Sequence, residues 1–165
     1  MRNGTKQDWW VHFRAKVDPD RRFNPVTDEC RVMSDTRTRA NYALLDFQEH
    51  LGESSDGLDV PWAEFVGNHR SSTEEFTVPA ESATEAYLEC QLFEVGSYGH
   101  EIVVNGDALT GFDIPPAPGW QYWMDPITGA DLEAGENTVR FVRDADTRDD
   151  FVVGSVVVHW KEPIE

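Results

Sequence analysis

Polar and aromatic side chains lie close together between residues 113 and 123; they are Asp113, Trp120, Gln121, Tyr122 and Trp123. Aromatic rings stack on the C–H faces of sugars, and carboxylate or amide groups bond the sugar hydroxyls. Prolines at the start of the segment favour a preorganised loop, which lowers the entropy lost on binding. The segment predicts a surface for carbohydrate or another polar ligand. The alternative is that its rings cap one end of a small core.

The spacing of these residues divides the segment into two faces. In an extended chain Trp120 and Tyr122 share one side, while Gln121 and Trp123 point to the other. Trp123 has the more apolar neighbours, so we expect it to be buried and Trp120 to be partly exposed. His100 lies in a predicted turn and is added to the candidate ligand contacts.

A second candidate site is an acidic stretch between two predicted strands. Its carboxylates are Asp144, Asp146, Asp149 and Asp150. Calcium takes six to eight oxygen ligands, which clustered aspartates supply. The stretch lacks the central glycine and terminal glutamate of an EF-hand loop. It predicts either a calcium site or a solvated acidic surface.

Other reactive residues show no catalytic or cofactor-binding pattern. The five histidines are not at zinc-ligand spacing, and no phosphate-binding loop, nucleophile elbow or dinucleotide fingerprint occurs. We therefore expect a non-enzymatic protein without an organic cofactor. Cys30 and Cys90 are far apart and are predicted to be unpaired thiols, since the first residues do not form a signal peptide.

The charge of the chain is strongly negative. It has 31 Asp and Glu against 14 Lys and Arg, for a net charge of −17, and only three of the basic residues are Lys. Self-repulsion of this size is screened in molar salt. The composition resembles that of haloarchaeal proteins and predicts a cytoplasmic protein adapted to salt. The same charge argues against nucleic-acid binding, and no apolar run is long enough to span a membrane.

Strand-like segments separated by turns run along most of the chain. Strands are predicted at residues 9–17, 61–66, 75–78, 87–95, 101–104, 138–143 and 151–160. Residues 41–51 fit both a helical stripe and a strand face, and the β-rich surroundings favour a strand. Residues 112–125, which carry the aromatic cluster, are predicted to form a loop.

The spacing of the turns predicts an all-β fold, a two-sheet antiparallel sandwich. Asn105-Gly106 after an apolar run is a strong hairpin signal. Gly135 permits a positive φ, and Asn137 can bond its own turn. By length we expect one β-sandwich domain over residues 1–165, with an N-terminal strand and loops (1–39) before the main body (40–160).

The order of these motifs resembles the jelly-roll domains of the galactose-binding-like superfamily, which include non-catalytic sugar-binding domains of glycoside hydrolases. The matching positions are Asn105, Gly106, Leu132, Gly135 and Asn137, and the likeness covers roughly residues 74–160. The resemblance implies a jelly-roll fold and, in many relatives, a structural calcium ion. With its acidity, the chain also resembles an uncharacterised family of small haloarchaeal proteins.

Two functions follow as hypotheses. The first is a non-catalytic module that binds carbohydrate or another polar ligand through residues 113–123. The second is a structural or assembly protein whose Trp-rich surface, with Trp10, Trp62 or Trp120, contacts a protein partner or a second copy of the chain. An aromatic groove favours the first, whereas a flat apolar patch repeated across a two-fold axis favours the second.

Overall fold

The computed structural model describes residues 37–79, 81, 83–109, 114–128 and 132–164, which belong to one compact unit, Thr36–Glu165. These residues form nine β-strands and no helix. The strands are β1 Thr38–Leu51, β2 Glu64–Gly67, β3 Glu74–Val78, β4 Thr84–Val95, β5 Glu101–Val104, β6 Asp107–Ala108, β7 Ala117–Pro126, β8 Gly135–Val142 and β9 Phe151–Pro163. The strand predicted at residues 9–17 and the thiol of Cys30 lie outside the described residues.

The strands form two sheets, as the sequence predicts. One sheet has the order β2-β1-β9-β4-β7, and the other has the order β3-β8-β5-β6. Neighbouring strands are antiparallel except for β1 and β2, which pair in parallel at the edge of the larger sheet. The larger sheet therefore ends in β2 on one side and in β7 on the other.

The core lies between the two sheets because each long strand buries alternate side chains. In β4, Leu88, Cys90 and Leu92 are fully buried. Phe47 of β1 meets Phe141 of β8 edge to face across the sandwich, with ring centroids 5.4 Å apart. Burial raises the pKa of the Cys90 thiol, which is free, as predicted.

Residues 41–51, which fit either a helix or a strand locally, belong to the long strand β1. This strand pairs with β9 from Thr38 to Leu51, with an irregularity between Asp46 and Glu49. Gln48, inside the irregularity, has a φ of 49°. Pairing with the valine-rich β9 thus outweighs local helix propensity, as packing commonly does.

The Asn-Gly turn and the Asn137 turn are joined by side-chain hydrogen bonds. Asn105 and Gly106 have φ values of 51° and 92°, as a hairpin turn of this kind requires. The Asn105 side chain donates to Asn137 Oδ1 (2.8 Å) and accepts from the backbone of Thr138 (2.8 Å). The residues that carry the jelly-roll resemblance therefore stabilise the join between β5 and β8.

Two sequence expectations about strands and loops were wrong. Residues 117–126 are the edge strand β7 rather than part of a loop, since an edge strand tolerates proline on its unpaired side. Pro61 and Trp62, predicted to begin a strand, lie in a turn before β2. No helix long and apolar enough to cross a membrane occurs in the described part of the chain.

Candidate ligand-binding surface

The outer side of the larger sheet is rich in aromatic and apolar side chains. We call this surface the aromatic face. It consists of Tyr42, Leu44, Trp62, Tyr87, Glu89, Gln91, Phe93, Trp120, Tyr122, Met124 and His159. All but Trp62 lie on strands β1, β4, β7 and β9, so the face is held by a rigid sheet. A large exposed apolar surface of this kind usually marks a binding site.

Alternation along β7 decides which of its side chains reach this face. Trp120 and Tyr122 are 52% and 60% exposed and point outward. Trp123 packs on the core from the other side of the strand, and Gln121 shares that side. The expectation that Trp120 is exposed is confirmed, whereas Trp123 points inward but is only partly buried.

A β-bulge lies next to Trp120. Phe93 pairs with Trp120 and Val95 pairs with Ala117, so the strand register shifts between the two pairs. Glu94 has a φ of 58° in the bulge, and its carboxylate accepts a hydrogen bond from Gly119 N at 2.9 Å. Bulges bend a strand and redirect its side chains. This one fixes the approach of Trp120 to the sheet.

Three rings form a cluster at this end of the aromatic face. The Trp120 ring centroid lies 5.2 Å from that of Trp62 and 5.2 Å from that of Phe93, and Trp62 lies 5.8 Å from Phe93. Trp62 is 44% exposed. The cluster therefore holds two indoles in fixed positions while leaving about half of each open to solvent.

The Trp120 indole extends over the neighbouring strands. A Cβ placed on Gly154 of β9 would lie 3.1 Å from its Cζ3 atom and 3.3 Å from the Gln91 Cβ. Glycine at this position allows the ring to lie close to the backbone of the sheet. Gly154 is therefore part of the support of the aromatic cluster.

A polar group stands beside the cluster, in the middle of the face. Tyr122 donates to Glu89 Oε2 at 2.9 Å, and His159 Nε2 lies 3.1 Å from the same oxygen. The hydrogen bond to Glu89 raises the pKa of the Tyr122 phenol. The His159 ring stacks on Tyr87, with centroids 4.6 Å apart. One oxygen of Glu89 thus contacts both Tyr122 and His159.

A shallow depression of about 400 Å³ lies between the cluster and this polar group. It is lined by Gln91, Trp120, Gln121 and Tyr122. The Gln121 amide donates to the carbonyl oxygen of Pro115 at 2.9 Å, which fixes its orientation. Flat aromatic surfaces next to amide and carboxylate groups suit a ligand with an apolar face and a polar rim.

Of the predicted ligand contacts, Trp120 and Tyr122 lie on this face, whereas the Gln121 side chain is on the other side of β7. Asp113 lies outside the described residues. His100 is buried, 2% exposed, and stacks on Phe151 with centroids 4.5 Å apart. Its Nε2 lies 2.7 Å from Asp149 Oδ2, and its Nδ1 accepts from Asp144 N at 3.1 Å. The expectation that His100 faces a ligand is therefore corrected: its ring supports the loop.

The carboxylates of the acidic stretch turn towards different partners. Asp149 accepts from the backbone N–H groups of Gly96 and Ser97, at 2.9 and 3.0 Å, whereas Asp150 lies 3.3 Å from His50 Nε2. Within the described ranges, no three His, Cys, Asp or Glu side chains are arranged to hold a metal ion. Calcium binding by Asp144, Asp146, Asp149 and Asp150 stays a prediction.

The sequence analysis predicted Trp120, Gln121 and Tyr122 as ligand contacts. It did not predict the residues of other strands that lie beside them. Gln91 and Phe93 alternate with the buried Leu92 in β4, so the period of the strand could have placed them on the outer side. No local signal connects them to Trp120, because that contact depends on the pairing of β4 with β7.

The chain belongs to a family of unknown function (DUF7383), whose sequence model matches residues 39–162. No curated protein matches the sequence.

The solved structures that align with this chain include a xylanase domain, a carbohydrate binding module and a mannanase. The CBM36-1 domain of a multidomain xylanase from the hindgut metagenome of Trinervitermes trinervoides aligns with a TM-score of 0.50 and 11% identity, over 72% of this chain and 96% of that domain. A family 35 carbohydrate binding module from Clostridium thermocellum aligns with a TM-score of 0.40 and 15% identity, over 74% and 97%. The Podospora anserina GH26-CBM35 mannanase aligns with a TM-score of 0.44 and 12% identity, over 77% of this chain and 28% of its own length. The xylanase domain shows that the fold is a two-sheet jelly-roll sandwich.

Proposed function

We propose that this member of the DUF7383 family is a non-catalytic binding module that holds a carbohydrate chain on the aromatic face. The observation that carries the proposal is the cluster of Trp62, Phe93 and Trp120, in which the two indoles are 44% and 52% exposed. Pyranose rings present apolar C–H faces that stack on such rings. The jelly-roll fold is compatible with this role but does not by itself assign it.

The polar side chains of the face supply the second part of sugar recognition. Glu89, Gln91 and Tyr122 lie within the same surface and offer acceptors and donors to sugar hydroxyls. The sheet holds them in place before binding, so little conformational entropy is lost. A shallow, open surface suits an extended polysaccharide better than a single small sugar.

Binding to polysaccharides tests the proposal. Affinity electrophoresis against a panel of soluble polysaccharides, followed by calorimetry with the best of them, is expected to give weak, saturable binding. Trp120→Ala should abolish this binding, because it removes the ring at the centre of the cluster. The matched control is Tyr98→Ala, which removes a 61% exposed aromatic ring outside the aromatic face.

The two substitutions separate stacking from a general effect of lost aromatic surface. Equal loss of binding in both variants, or no binding of the unmodified chain to any polysaccharide, would contradict the proposal. Far-UV circular dichroism and chemical denaturation of each variant show whether the fold is retained.

A second candidate function is an interface with a protein partner or a second copy of this chain. The observation that favours it is the extension of the aromatic face beyond the cluster, where Tyr42, Leu44 and Met124 are 66%, 63% and 58% exposed. Their side chains offer no hydrogen-bond pattern for sugars except the Tyr42 hydroxyl. Apolar surface of this kind is typical of contacts between proteins.

Charged substitutions on this part of the face distinguish the two functions. If the face forms a homo-oligomer, Leu44→Asp and Met124→Asp should convert it to monomer in sedimentation experiments. A monomeric unmodified chain at high concentration would contradict self-association.

We further propose that the module works in concentrated salt, in a cytoplasm of high ionic strength. The proposal is supported by the net charge of −17 with three Lys. Screening of the charges in molar salt would remove the self-repulsion that such a chain has in dilute buffer.

A further inference from the structure

The smaller sheet carries a group of positively charged side chains in a chain whose net charge is −17. A depression of about 420 Å³ is lined by His69, Arg70, Arg140, Val142 and Arg143. This volume lies within the range of small-molecule sites, roughly 300–1,000 Å³. None of its lining residues belongs to the aromatic face, so the depression is a separate site.

Strand pairing brings the two outer arginines together. Arg70 forms an antiparallel bridge with Val142, and Arg140 lies two residues before Val142 in β8. Residues two apart in a strand point to the same side. Arg70 and Arg140 therefore lie diagonally next to each other on the outer side of the smaller sheet.

Arg143 adds a fixed positive charge at the edge of the depression. Its side chain is buried, and its guanidinium donates to the carbonyl oxygens of Asn68, Thr147 and Asp149 at 3.1, 2.8 and 2.6 Å. These acceptors are neutral, so none of them cancels the charge. The backbone N–H of Arg143 donates to His69 O, which fixes the loop against β8.

The charges of the two outer arginines are also unbalanced. In the ranges that the structure describes, neither Arg70 nor Arg140 forms an ion pair, and the Nε atom of Arg140 is buried without a hydrogen-bond partner. Glu101 lies opposite Val142 in β5 but is not paired with either arginine. By contrast, Arg39 on the other sheet contacts Glu162 at 3.2 Å. A buried donor without a partner is costly unless a ligand satisfies it.

We propose that this depression binds an oxyanion group, a phosphate, sulfate or carboxylate carried by a small molecule. Arg140 and the exposed Arg70 offer their guanidinium groups to the anion, and Arg143 contributes charge. Guanidinium groups bind oxyanions by paired, charge-assisted hydrogen bonds, which are stronger than neutral ones. His69 adds a further donor, and a positive charge when it is protonated.

Nuclear magnetic resonance of the arginine side chains tests the site with inorganic phosphate as the probe. The Nε–H signal of Arg140, identified by its loss in Arg140→Lys, should shift saturably with phosphate at an ionic strength held constant with KCl. The Arg70→Gln, Arg140→Gln double variant should weaken binding at least about tenfold, because it removes charge-assisted hydrogen bonds. The matched control is Arg148→Gln, an exposed arginine of the 144–150 loop outside the depression.

Titrations with sulfate and acetate identify the class of oxyanion. A response to phosphate and sulfate alone assigns a tetrahedral group, a response to acetate alone assigns a carboxylate, and a response to all three assigns a general oxyanion site. A phosphate-induced shift that does not saturate overturns the proposal. So does a shift that is as large in the double variant, or in the single variant Arg70→Gln, as in the unmodified chain. Arg70 is exposed, so its single variant keeps the test valid if the double variant fails to fold.

Discussion

At the scale of single residues, Gly154 sets how closely Trp120 approaches the sheet. We expect Gly154→Ala to displace the indole, because the new Cβ would lie 3.1 Å from Cζ3 of Trp120. The cost in stability should be about 1 kcal/mol, at the low end for an added methyl group in a packed site. Near-UV circular dichroism should change, and polysaccharide binding should weaken although no aromatic residue is lost.

The matched control for this prediction is Ser155→Ala, the next residue in β9, which adds no atom near Trp120. If Gly154→Ala leaves both the aromatic signal and the binding unchanged, the close approach of the ring has no functional importance.

The two tryptophans of β7 should differ in what they contribute. Trp123 packs on the core, so we expect Trp123→Ala to reduce the free energy of unfolding by about 3 kcal/mol. Trp120 is about half exposed, so Trp120→Ala should cost only about 1 kcal/mol while binding is lost. Chemical denaturation in high salt measures both. Equal, large losses in the two variants would contradict a binding role for Trp120.

Asp149 should make stability depend on acid pH. Burial would raise the pKa of this carboxyl, but hydrogen bonds from His100, Gly96 and Ser97 outweigh it and hold the pKa below its usual value. A lowered pKa in the folded state gives stability that is present above the unfolded pKa, about 3.9, and is lost as pH falls through the folded value. We therefore expect the free energy of unfolding to fall below about pH 4.

Denaturant unfolding between pH 6 and 2 measures this effect. Asp149→Asn should lower stability at neutral pH by about 1–3 kcal/mol and flatten the acid dependence, since the charged acceptor is gone. Asp146→Asn, at an exposed position of the same loop, is the control and should leave both unchanged. An unaltered acid slope in Asp149→Asn would show that other carboxyls determine it.

At the scale of strands and turns, the Asn137 side chain holds two turns together. It accepts from Glu133 N and Asn105 Nδ2, both at 2.8 Å, and donates to the carbonyl oxygens of Glu133 and Gly135. We expect Asn137→Ala to cost about 2–4 kcal/mol, because it leaves buried polar groups without partners. Urea denaturation checks the value, with the exposed Asn68→Ala as the control. A loss below about 1 kcal/mol would mean that water replaces these bonds.

The sequence analysis correctly predicted the strands and turns that neighbouring residues determine. The hairpin at Asn105-Gly106, the turn before β8 and the valine-rich β9 are each determined by neighbouring residues, and all three were predicted. The long strand β1 was ambiguous because Ala43, Leu44, Phe47 and Leu51 fit a helical stripe, whereas Ala43, Leu45 and Phe47 fit a strand face. Its pairing with β9, which decides the matter, is a long-range contact.

The candidate site was predicted only in part for the same reason. Trp120, Gln121 and Tyr122 were found from their composition, but the prolines before them indicated a loop, whereas they lie on the edge strand β7. His100 was placed at the surface because turn histidines usually are exposed. Its burial depends on Phe151 and Asp149, which are distant in sequence. Phe93 joins Trp120 through the pairing of β4 with β7, and Trp62 contacts Trp120 from the turn before β2.

At the scale of the whole molecule, the two sheets present outer surfaces of different character. The larger sheet carries the aromatic face, with one carboxylate, Glu89, at its centre. The smaller sheet carries the arginine-lined depression around Arg70 and Arg140. Many of the carboxylates are dispersed over exposed positions, including Glu53 and Glu136. The negative charge should make copies of the molecule repel one another in dilute buffer.

This charge predicts that stability rises with salt. With a net charge of −17, repulsion acts over about 30 Å at 0.01 M salt but only about 3 Å at 1 M. We expect the thermal midpoint to rise through roughly molar KCl, as screening shortens the range of this repulsion.

The variant Glu53→Lys, Glu136→Lys should be more stable than the unmodified chain at low salt, and its stability should depend less on KCl, because it carries less negative charge. An uncharged osmolyte at matched osmolality separates screening from general exclusion effects. A flat or falling midpoint in KCl would contradict adaptation to salt. If the thermal midpoint of the variant rises with KCl as steeply as that of the unmodified chain, charge repulsion does not cause the salt dependence.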